Sequence, residues 1–108
     1  MVEKPLLWLH GEVKTPTFST DARIESGTLL RRLQCSENIP LPHSRPMPFI
    51  GKACHELRIQ DATKTWRIVY HIDIDAIVIL EVFSKTTQQT PKAVLNTCQR
   101  RLRMYQSI

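Results

Sequence analysis

Residues 54–91 constrain this chain more than any other stretch, because two segments of alternating apolar and polar residues are followed by one that is apolar almost throughout. Side chains on a strand point to opposite faces with period two, so alternation reads as a half-buried strand. In the first segment His55, Leu57 and Ile59 share one face, leaving Glu56, Arg58 and Gln60 on the other. In the second, Trp66, Ile68, Tyr70, Ile72 and Ile74 lie opposite Arg67, Val69, His71 and Asp73. The third runs from Ala76 to Phe83 and is apolar on both faces until Glu81, as expected of a central or helix-covered strand.

Register follows from burial, since a slip of one residue would turn a whole apolar face to water. A loop over residues 61–64 sets Arg58 opposite Arg67 and Leu57 opposite Ile68. A shorter loop over residues 73–75 sets Arg67 opposite Glu81 and Ile68 opposite Leu80, with Lys85 following on the same face. The expected sheet therefore carries Arg58, Arg67, Glu81 and Lys85 on one face and packs the other as core.

The flanking segments supply the cover. Residues 6–10 predict a short edge strand, bounded by Gly11 and Pro16. From about Ser19 the period becomes helical: Ala22, Ser26, Leu29, Leu30 and Leu33 form a stripe, with Ser19 or Thr20 as N-cap and Asp21 in the first turn. Pro40, Pro42, Pro46 and Pro48 exclude a helix over residues 38–52 and predict an extended run over the surface. After a polar run over residues 86–90, Thr90 and Pro91 read as N-cap and first residue of a last helix, whose stripe is Pro91, Leu95, Cys98, Leu102 and Tyr105. The whole is an α+β fold in a single domain, residues 1–108.

Composition narrows the function classes. Cys35, Cys54 and Cys98 are odd in number and widely spaced, which suggests neither a disulfide framework nor a metal knuckle. With no apolar run of about 18 residues and no charged-then-apolar start, a soluble, cytoplasmic protein without a membrane partner is expected. Fifteen Lys and Arg against ten Asp and Glu favour a polyanionic partner. The bias is local: after Pro91 the chain holds Lys92, Arg100, Arg101 and Arg103 and no carboxylate side chain. His10, His43, His55 and His71 lack ligand spacing, so no metal and no cofactor is expected.

The order of short motifs resembles the RelE/HigB type of bacterial toxin, more closely its phage-derived branch. The residues that carry this are His55-Glu56-Leu57-Arg58, Trp66-Arg67-Ile68-Val69-Tyr70, Ile79-Leu80-Glu81-Val82-Phe83-Ser84-Lys85 and Thr87-Gln88-Gln89-Thr90-Pro91, led in by residues 45–52. The resemblance implies a RelE-like small antiparallel sheet with an N-terminal and a C-terminal helix packed on it. It also implies the toxin component of a type II toxin-antitoxin module, a ribosome-dependent mRNA endoribonuclease, whose partners are mRNA on the ribosome and a cognate antitoxin of the helix-turn-helix kind. Two alternatives share the fold: a ParE-like toxin directed at gyrase, and an inactive phage-derived remnant that only binds an antitoxin.

Metal-independent RNA cleavage uses attack of a 2′-hydroxyl on its own phosphate, so a site must take up a proton, stabilise charge on the phosphorane and protonate the leaving oxygen. Arginine suits the second task because its planar fork holds phosphate in fixed geometry. By match to the family motif, Arg58, Arg67 and Lys85 are the catalytic candidates, and Lys52, Lys92, Arg100 and Arg101 are candidates for RNA binding. For acid-base work His55, His71, Glu81 and Tyr105 stay open. Glu56 stands near positions where RelE carries lysines, and a carboxylate there is expected to weaken phosphate attraction. The plain reading of Arg58 and Arg67 is pairing across strands with Glu56 and Glu81.

Overall fold

The three segments of the alternating stretch form the middle of a five-stranded sheet, ordered β1-β5-β4-β3-β2. In this computed structural model, which describes residues 3–9, 18–62, 64–85 and 90–107, the elements are β1 (Leu6–Trp8), α1 (Thr20–Gln34), β2 (Ser44–Pro46), β3 (Cys54–Gln60), β4 (Thr65–Ile72), β5 (Ile77–Lys85) and α2 (Lys92–Gln106). The α+β class holds, with a helix toward each end of the chain. The sheet is mixed, because β1 joins β5 in parallel while the other pairings are antiparallel. His10, Gly11, Pro16 and residues 86–89 lie outside the described residues.

The β3–β4 register is the expected one: Leu57 pairs with Ile68 and Arg58 with Arg67. The β4–β5 register is not. Ile72 pairs with Ile77, so the turn is one residue longer than burial alone suggested, and a bulge between Val69 and Tyr70 shifts the rest. Arg67 consequently faces Phe83, not Glu81, and Ile68 faces Val82, not Leu80. Ile74, expected on the core face, lies in the turn and is 92% exposed. The bulge turns consecutive residues the same way: Leu80 joins the apolar cluster beneath α2, and Glu81 pairs with Arg101 of α2.

Both faces of the sheet are covered. On one, the α1 stripe of Ala22, Leu29, Leu30 and Leu33 packs with Phe18, Leu57, Ile59, Trp66, Ile68, Tyr70, Ile77 and Ile79. Ser19 caps this helix by accepting the Ala22 N–H at 3.1 Å. On the other, Cys98 and Leu102 of α2 pack with Met47, Ile50, Cys54, Val69, Val78 and Leu80. Gly51 permits that approach, since a Cβ there would come 2.5 Å from Leu102 Cδ2. The double cover expected for β5 is thus observed, and the face expected to carry Arg58, Arg67 and Glu81 also holds an apolar cluster under α2. α2 covers the apolar part of the second face and leaves its charged part beyond the helix.

The proline-rich run is non-helical as expected, and within it Ser44–Pro46 also pairs on the edge of β3 as β2. Its prolines obscured a strand whose alternation places Ser44 inside and Arg45 on the opposite face. Thr90 does not cap α2: its hydroxyl is turned to Glu56, and Pro91 stands at the cap without a side-chain bond.

Candidate functional site

Strand geometry gathers the charged residues. Arg45 on β2 pairs with Glu56 on β3, Arg58 lies two residues further along β3, and Arg67 on β4 pairs with Arg58. Residues two apart on a strand, and residues paired across strands, share a face, so all four side chains meet. Glu56 is at the centre and fully buried. Its Oε1 lies 2.8 Å from Arg67 Nη1, 3.3 Å from Arg45 Nε and 3.9 Å from Arg58 Nε, while Oε2 accepts the Thr90 hydroxyl at 2.8 Å.

One carboxylate among three guanidiniums leaves an excess of positive charge that the sheet holds partly out of water. Burial lowers the Arg58 pKa, the positive charges of Arg67 and Arg45 lower it further, and Glu56 opposes them. The expectation for Glu56 is thereby reframed. It tempers the positive charge but also aligns three forks in one place. Among the described residues the Nε atoms of Arg45, Arg58 and Arg67 are buried without a hydrogen-bond partner. Arg67, 5% exposed, is the most enclosed of the three, and buried donors left unpaired call for an acceptor.

Two clefts flank the cluster. One, of about 350 Å³, is lined by Glu25, Pro42, His43, Arg58, Gln60, Thr65 and Arg67. It opens where β2 ends and β3 continues without a strand neighbour on that side. The other, of about 320 Å³, lies between Arg45, Pro46, Met47, Phe49, Thr90 and Leu95. A positively charged floor with open space on both sides is suited to a phosphodiester.

The residues expected from sequence are dispersed unevenly. Arg58 and Arg67 meet in the cluster. Lys85 ends β5, where its backbone pairs with Thr65, and its side chain lies outside what is described. Lys52 is exposed at the turn before β3, Lys92 begins α2, and Arg100 is exposed along it. Arg101 donates to the Leu80 carbonyl at 2.7 Å and lies 3.3 Å from Glu81. Sequence reasoning missed Arg45, hidden among prolines, and His43 and Glu25, which come from separate elements.

The acid-base candidates lie elsewhere. His55 stacks on Tyr70 at 5.4 Å, and burial lowers its pKa. His71 Nδ1 is 2.9 Å from the Lys52 carbonyl, with the ring edge-on to Tyr105. Tyr105 donates to Asp73, a bond that pushes the phenol up to about 12. Burial pushes the thiols of Cys54 and Cys98 up to about 11 and 12. Among the described residues no three His, Cys, Asp or Glu side chains come together as metal ligands, and no helix is long and apolar enough to cross a membrane.

A comparison with curated proteins found no match. The family described as "Phage derived protein Gp49-like (DUF891)" matches residues 16–103, which takes in α1, β2 to β5 and most of α2. Arg45, Glu56, Arg58, Arg67 and Thr90 all fall within that span. On this match the chain belongs to the Gp49-like family of phage-derived proteins, a toxin-like family of toxin-antitoxin modules.

Proposed function

We propose that this protein is the toxin of a type II module and that it cuts mRNA on the ribosome. Family membership implies an antitoxin as partner; the finer reading is that this antitoxin is a helix-turn-helix protein. The observation that carries the nuclease reading is the cluster around Glu56, where the Nε atoms of three arginines are buried without a hydrogen-bond partner among the described residues and the same arginines line open clefts. In this reading Arg58 and Arg67, joined by Lys85, hold the scissile phosphate and stabilise the charge that grows on its oxygens as the 2′-oxygen attacks. Lys52, Lys92, Arg100 and Arg101 serve the flanking RNA, Arg101 less freely because Leu80 and Glu81 hold it.

The Glu56 pairing also supports a second reading, in which the arginines only brace the sheet and the protein binds its antitoxin without cutting RNA. Primer extension on a translated reporter mRNA, with and without ribosomes, separates the two. The nuclease reading expects cuts that require ribosomes and disappear in Arg58→Ala. Absence of cuts from folded protein, with tight binding to the product of the adjacent reading frame, would favour the second.

A further inference from the structure

We propose that His43 is the proton acceptor for the 2′-hydroxyl in the cleft floored by Arg58 and Arg67, an inference that rests on the nuclease reading above. None of the acid-base candidates legible in the sequence reaches this cleft: His55 is stacked on Tyr70, His71 is bound to the Lys52 carbonyl, Glu81 pairs with Arg101, and Tyr105 bonds Asp73. His43 does line it, with half of its side chain exposed. Its backbone is fixed on both sides of that position. The His43 N–H donates to the Pro40 carbonyl at 3.2 Å, and its own carbonyl accepts the Arg58 N–H at 2.8 Å. The ring therefore hangs from the strand pairing that also carries Arg58.

The charged groups around the imidazole come from three elements: Glu25 on α1, Arg58 on β3 and Arg67 on β4. His43 Nε2 lies 4.0 Å from Glu25 Oε1. In the proposed arrangement Nε2 faces the Glu25 carboxylate and Nδ1 is the nitrogen that accepts the proton. In the step proposed, the 2′-oxygen forms a bond to phosphorus and its proton passes to His43 Nδ1. The P–O5′ bond breaks, and the departing 5′-oxygen takes a proton from water. The products are a 2′,3′-cyclic phosphate and a 5′-hydroxyl. Arg58 and Arg67 hold the phosphoryl oxygens throughout.

The test is single-turnover cleavage of ribosome-bound mRNA across about pH 5 to 9, using the full chain, His43→Ala and His43→Gln, each shown to be folded by circular dichroism. Loss of a general base predicts a fall of about 10²–10⁴-fold in both His43 variants. The rise of the parent rate with pH that a general base produces should vanish with it. Added imidazole should restore part of the rate in His43→Ala, which loss of a merely structural side chain would not permit. Parent-like rates and pH profiles in both His43 variants, or a loss that imidazole does not relieve and that leaves the profile unchanged, would overturn the assignment while leaving the nuclease reading intact. No cleavage by the parent would overturn both.

Discussion

Oε1 of Glu56 lies 2.8 Å from Nη1 of Arg67, and the two residues are 0% and 5% exposed. A buried pair of this kind owes its place to mutual compensation, so removal of one member leaves the other charged without a partner. Glu56→Ala removes the carboxylate shared by Arg45, Arg58 and Arg67 and leaves the Thr90 hydroxyl without that acceptor. The expected loss is about 3–5 kcal/mol of unfolding free energy, read from urea denaturation. Glu56→Gln keeps the shape and an acceptor for Thr90, and should lose less.

Arg58 and Arg67 should separate stability from activity. The Arg58 side chain is 27% exposed and its Nε is 3.9 Å from Glu56, so Arg58→Ala should change stability by no more than about 1 kcal/mol. If Arg58 holds the scissile phosphate, the same variant should lose about 10²–10³-fold in cleavage rate. Arg67→Ala removes the nearest cation from the buried Glu56 carboxylate, leaving Arg45, Arg58 and Thr90 to compensate it, and should cost more than Arg58→Ala, up to about 3–5 kcal/mol, in addition to activity. Parallel denaturation and cleavage measurements check both. Equal stability losses would mean that the charge is shared differently from what the distances imply.

Acid stability should depend on Asp61. Its carboxyl is held down at about 2, first by the Ala62 N–H, then by the Ser19 N–H and side chain and the Trp66 indole N–H. The folded pKa lies below the unfolded value, so this contribution is complete above about pH 4 and is lost as pH falls through about 2. Because Asp61 ties the β3–β4 turn to the start of α1, Asp61→Asn should flatten the decline of Tm between those limits. Thermal unfolding of parent and variant across that range is the measurement.

Much of this fold was legible because burial and period agree. The α1 stripe and its Ser19 cap, the β3–β4 register and the double cover of β5 all follow from where apolar residues recur. The β4–β5 register failed for a physical reason: Ile77, Val78, Ile79 and Leu80 are buried on both faces, so burial does not choose among registers there, and the bulge decided it. At the site, alternation placed Arg58 and Arg67 side by side. Arg45, His43 and Glu25 were missed because they arrive from a proline-rich edge and a helix surface, where no local pattern marks proximity to β3. Glu56 was legible as a charge opposed to phosphate and as a cross-strand partner of arginine, but its sharing among three arginines was not, since Arg45 reaches it from the edge strand β2.

That edge strand is itself testable through a second buried pair. Ser44 Oγ and the Tyr70 hydroxyl lie 2.7 Å apart on the α1 side of the sheet, where Ser44 is 2% and Tyr70 1% exposed. Ser44→Ala leaves the phenol buried without this partner and should cost about 1–3 kcal/mol, the desolvation penalty of an unpaired polar group. Tyr70→Phe removes the phenol that imposes that cost, so adding it to Ser44→Ala should recover part of the loss. A double-mutant cycle by urea denaturation should therefore give a coupling of about 0.5–3 kcal/mol. Because β2 carries Arg45 into the charged cluster on the opposite face, Ser44→Ala should also lower RNA cleavage if that cluster is the active site. Unchanged cleavage in a measurably destabilised variant would place Arg45 outside the chemistry.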